Sequence, residues 1–125
     1  MTLAVITTIV ILGVLALFQV LLACGAPFGY LAWGGTHRTL PPKLRIGSIL
    51  SVIIYAGIAL CLLSKAAVLT AIPPGVLLNT LSWVIFTYFL VGVFINILSR
   101  SKPERYVMST VSLILASCTF VIAIS

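Results

Sequence analysis

Acidic residues are almost absent: the 125-residue chain carries one glutamate, Glu104, and no aspartate. Charged residues of both signs make up 6% of it, against about 25% in an ordinary soluble domain. Seven basic residues and one acid cannot cover the surface of a water-soluble globule. That scarcity excludes a soluble enzyme, a disordered tail and a nucleic-acid binder together. There is also only one histidine, His37, so an ordinary metal site lacks ligands. A serine–histidine–acid relay would have to borrow Glu104. The three cysteines, Cys24, Cys61 and Cys118, form no C-x-x-C pair and read as small buried hydrophobes. No catalytic residue, cofactor or metal is expected from this inventory.

What the chain has in abundance is apolar sequence, at 62% of its residues. Its net charge of +6 comes from basic residues flanking apolar runs, which is a mark of membrane topology and not of nucleic-acid binding. A bilayer core of about 30 Å needs about 20 helical residues. Four stretches qualify, at about 2–24, 44–64, 76–98 and 103–124. The runs are continuous and do not alternate with period two, which excludes a β-barrel. The first run is too long for a cleaved signal peptide and has no basic segment before it. The reading is an all-α, polytopic membrane protein, with residues 1–125 forming one four-helix transmembrane domain.

Orientation follows from the loops. The first connection carries Arg38, Lys43 and Arg45, the third carries Arg100, Lys102 and Arg105, and the middle one has only Lys65. This bias predicts that loops one and three are cytoplasmic and that both termini are extracytoplasmic. The same six cations are candidate contacts for anionic lipid, each worth about 1 kcal/mol at such a surface.

Ser101-Lys102-Pro103-Glu104 reads as a capping box, with Ser101 as N-cap and Glu104 returning to the helix start. Spans three and four are then a tight antiparallel hairpin. The first loop is denser in breakers, with Gly25, Pro27, Gly29, Gly34 and Gly35 around Tyr30 and Trp33. It is either an interfacial connector, by the aromatic types it carries, or a segment that dips into the bundle, where protein would have to satisfy its backbone.

Several polar side chains lie inside the spans. Gln19, Tyr55, Asn79, Tyr88 and Asn96 form a candidate intramembrane cluster, because an amide in hydrocarbon seeks a partner. Span four carries a stripe of small residues, Ser109, Ser112, Ala116, Thr119 and Ala123, suited to close helix packing. Gln19 and Asn96 fall at similar depth near the cytoplasmic boundary. That predicts spans one and three as neighbours joined through these two amides.

Two families of similar size fail on their motifs. Small multidrug-resistance transporters depend on a glutamate within the first span, which is missing here. Dual-topology fluoride channels share the length, but their glycine-rich arginine motif and their serine, threonine and phenylalanine run are missing. The chain resembles instead a family of small, uncharacterised bacterial four-span inner-membrane proteins. The likeness rests on Gly34-Gly35, on Leu40-Pro41 before Arg45, and on Ser101 through Met108 opening the last span. It implies an inner-membrane location and supplies no activity. The functional expectation is a non-enzymatic membrane component acting by self-association as a homo-oligomer or with a larger membrane partner. Two other readings stay open: a small oligomeric channel or carrier lined by Gln19, Asn79 and Asn96, and a membrane enzyme using His37 and Arg38 on lipid headgroups.

Overall fold

The computed structural model describes residues 2–125. Its four long helices are α1 (Thr2–Ala23), α2 (Pro42–Lys65), α3 (Val76–Ile97) and α4 (Glu104–Ile124), and no strand occurs among the described residues. Each is long and apolar enough to cross a membrane. The shortest has 21 residues, about 32 Å at 1.5 Å per residue. The fold is an all-α four-helix bundle of an integral membrane protein.

Local chemistry sets the helix ends. After α1, Gly25 takes φ +95°, while Ala26 N–H bonds Leu21 C=O at 2.9 Å and Gly25 N–H bonds Leu22 C=O at 3.1 Å. This paired pattern closes a helix on a left-handed residue, which glycine adopts without a Cβ clash. Pro42 opens α2 at its first position, where a missing N–H costs nothing. The first turn of α4, Glu104–Met108, is a wide π turn, and regular α geometry resumes at Ser109.

Packing is uneven around the bundle. α3 and α4 form the most extensive interface, α1 and α2 the next, and α1 also packs on α4. α2 and α3 touch more sparingly, and α1 and α3 stand diagonally opposite with no comparable contact. The α3–α4 hairpin is tight, as its short connection requires. A Cβ at Gly92 would sit 3.6 Å from Ser112 Oγ, and Ser82, Ala116 and Thr119 are buried. Several hydroxyls buried in the spans turn back on their own helices. Thr8, Ser82 and Thr119 donate to Ala4, Leu78 and Leu115 C=O at 2.7, 2.8 and 2.8 Å, which satisfies them without a partner from another helix. Leu12, Ile58, Leu62, Ile85, Phe89 and Leu115 fill the bundle's axis. Outside it, apolar side chains such as Leu3, Ile53, Val76 and Phe94 stand exposed, a girdle stable only against lipid.

The first loop folds back over one end of the bundle. Leu22, Ala32 and Leu40 make a second small core there, with Phe18 and Leu44 against it. Gly29 N–H bonds Arg38 C=O at 2.8 Å. Trp33 lays its indole on Gly47, where a Cβ would meet the ring at 2.8 Å, and its Nε1–H donates to Ser48 Oγ at 3.3 Å. Gly47 lies five residues into α2, about 7.5 Å along the axis. The loop therefore reaches one and a half turns down the side of α2.

Candidate functional site

α2 and α3 are held together at one end and apart at the other. At the far end, Lys65 Nζ donates to Asn79 Oδ1 beside the turn that joins the two helices. At the loop end, Trp33 wedges against α2, while Asn96 ties α3 to α4. The Asn96 amide donates to Ser112 Oγ at 2.9 Å and to Met108 C=O at 3.3 Å. The separation leaves a cleft of about 1120 Å³. Its wall on α3 runs from Thr80 to Asn96, about 24 Å by helical rise. Trp83, Val84, Tyr88 and Val91 line it and are also exposed on the bundle's outer face. The cleft therefore opens sideways, between helices.

Its polar groups run from Thr80 and Thr87 through Tyr55 and Tyr88 at mid-height to a cluster at the loop end. Gln19 from α1, Ser51 and Tyr55 from α2, Tyr88 and Asn96 from α3, and Glu104 and Ser112 from α4 all line it. Leu31 to Gly34 of the first loop close that end. Tyr55 lies beside both Gln19 and Tyr88. Gln19 is only 9% exposed, and its Oε1 is buried without a hydrogen-bond partner.

Glu104 departs from the capping-box expectation. Its backbone N–H does reach Ser101 Oγ, loosely at 3.5 Å. Its carboxylate does not return to the helix start, because Ser99 Oγ takes the Ser101 N–H at 3.2 Å. Instead Oε2 accepts from Ser99 O–H at 2.6 Å, and Oε1 from Gly34 N–H at 3.5 Å. The side chain is 6% exposed. The wide turn at Glu104–Met108 changes the angle at which the side chain leaves the helix, and the neighbouring loop offers a backbone donor in place of the cap. Ser101 O–H in turn donates to Tyr30 C=O. Loops one and three are thus bolted together at the end of the cleft.

Of the five residues of the sequence-derived cluster, Gln19, Tyr55, Tyr88 and Asn96 line one cleft, and Asn79 stands at the opposite end with Lys65. The expected bond between Gln19 and Asn96 does not form. α1 and α3 are diagonal, and Asn96 spends its amide on α4. The six basic residues all lie at the loop end and none lines the cleft. Arg38, Lys43, Arg100 and Lys102 are exposed. Arg45 donates from Nε to Leu40 C=O at 2.8 Å, and Arg105 lies 5.1 Å from the Tyr106 ring centroid. His37 is exposed and also outside the cleft. Sequence reasoning missed Trp33 and Glu104 as cleft residues. The signal for Glu104 was its being the sole acid; for Trp33, a close approach to Gly47 leaves no local trace.

No protein-family model matches the chain, and neither a curated protein nor a solved structure is found similar to it.

Proposed function

We propose that the protein is a non-enzymatic membrane component that binds an amphipathic guest drawn from the bilayer. The observation that carries this reading is the sideways-opening cleft, whose volume suits a drug-sized or lipid-sized molecule. Its long apolar wall accepts a hydrophobic body, and the polar groups at its loop end, Gln19, Asn96, Glu104 and Ser112, take a head. A guest of this kind fits better than a helix from a second copy. The first loop blocks the end of the cleft, and a helix has no spare backbone donor for the unpartnered Gln19 Oε1. Conduction is less favoured, because the core cluster fills the axis and Asn79 is engaged at the far end.

Thr87 lines the cleft from an exposed position, and its hydroxyl bonds only Trp83 C=O within its own helix at 2.9 Å. Thr87→Trp should therefore fill the cleft without disturbing the bundle. In nanodiscs, a neutral solvatochromic fluorophore should bind wild type above protein-free discs and bind Thr87→Trp at least tenfold more weakly, at an unchanged melting temperature. Equal binding to both proteins would place the probe elsewhere and sink the reading.

The loop charges support an orientation with the Trp33 and Glu104 end of the cleft on the cytoplasmic side of a bacterial inner membrane, against anionic headgroups. A reporter active only in the cytoplasm should be silent at the C-terminus and active when inserted at Lys102. The reverse pattern would invert this assignment.

A further inference from the structure

We infer that the head group taken by the cleft is cationic: the guest is an amphipathic organic amine or ammonium ion, its positive centre held near Glu104. This rests on the cleft being a binding site, and goes beyond it to the chemistry of the guest.

Three independent observations converge. The first is charge. Among the residues lining the cleft, Glu104 is the only ionisable acid or base besides the two tyrosines, and every lysine and arginine lies outside. A protein of net charge +6 has thus enclosed its single acidic side chain in a large apolar cleft. An anionic head would meet that carboxylate with no cation to receive it.

The second is hydrogen-bond balance. A carboxylate can accept about four hydrogen bonds. Glu104 receives one short bond from Ser99 and one long one from Gly34, both neutral donors. Gln19 Oε1, more than nine-tenths buried, receives none. The one fully buried lining atom without a partner is an acceptor, and the carboxylate has room for more bonds, so a guest that donates complements this end. A buried carboxylate without a counter-charge is costly, and a bound cation offsets that cost.

The third is the aromatic lining. Trp33, next to Gly34 on the loop that contacts Glu104, lines the same end of the cleft. An indole attracts organic cations through its ring quadrupole. Carboxylate, unpaired amide oxygen and the Trp33 indole together describe a seat for a positively charged nitrogen attached to an apolar body.

The test is displacement of the neutral fluorophore from protein in nanodiscs of zwitterionic lipid by three ten-carbon probes: decylammonium, decanol and decyl sulfate. Wild type should prefer decylammonium to decanol by at least tenfold after correction for partition into empty discs, with decyl sulfate weakest. In Glu104→Gln, which keeps an acceptor oxygen for Gly34 N–H, turns its amide toward a Ser99 hydroxyl that can accept, and removes the charge, the decylammonium-to-decanol preference should fall to near one. Gln19→Leu should reduce it about threefold. Equal displacement by decylammonium and decanol in wild type would overturn the inference while leaving the cleft a binding site. A preference that survives in Glu104→Gln would overturn the role given to the carboxylate. No fluorophore binding at all would remove the cleft reading and this inference with it.

Discussion

Gly29→Ala should unseat the first loop and lower stability by about 3 kcal/mol, the upper end for forcing extra volume into a packed site. A Cβ at this position would lie 1.9 Å from the carbonyl oxygen of His37 and 2.8 Å from that of Arg38. Both neighbours are backbone, so no rotamer change relieves the clash. The strand of loop from His37 to Leu40 must move away, which breaks the bond from Gly29 N–H to Arg38 C=O and lifts Leu40 from the small core with Leu22 and Ala32. Trp33 then loses its seat on Gly47. The check is thermal melting in detergent, with tryptophan emission recorded in a Trp83→Phe background so that Trp33 alone reports. A lowered midpoint with a shifted emission maximum is expected. An unchanged midpoint and maximum would mean that the loop is not seated in this way.

Leu115→Ala should be the costliest truncation on the cleft wall, at about 2 kcal/mol. Leu115 is 1% exposed, belongs to the axial core with Phe89 and Ile85, and also lines the cleft. In soluble proteins such a change costs about 2.7–5 kcal/mol, part of it lost transfer from water and part the cavity left behind. In a bilayer the separated helices are solvated by lipid, so the transfer part is small and lost dispersion contacts dominate. The expected cost therefore falls below the soluble range. Denaturant unfolding of protein in mixed micelles measures it. A loss smaller than about 0.5 kcal/mol would show that neighbouring side chains collapse into the gap.

The four spans were legible because each is a continuous apolar run of the right length, a signal that needs no tertiary information. The helix partners were not. Gln19 and Asn96 do lie toward the same end of the bundle, but depth along the axis says nothing about angular position around it. The chain runs round the bundle in order, so α1 and α3 face each other only across the diagonal. The reading of Glu104 failed for a different reason. The spacing from Ser101 suits a capping box, but that spacing is silent on competing donors, and Gly34, 70 positions away in sequence, supplies one. The same holds for Trp33, whose aromatic character suits an interface and whose partner Gly47 looks, in sequence, like any helical glycine. Long-range contacts made by loops lie outside what periodicity and local pattern encode.

The bolt between the two loops has a consequence for biogenesis. Tyr30 to Gly35 emerge from the ribosome with the first hairpin, but the groups that receive them, Ser101 and Glu104, are made only after α3. Until then the first loop has its seat on α2 but no lock, and the end of the cleft stays open. Glu104, the only acidic side chain, reaches the membrane as α4 begins to insert, so the cleft is completed only by α4. A chain truncated before residue 101 would retain three spans and the Trp33 contact, yet would lack the groups that lock the first loop over the cleft.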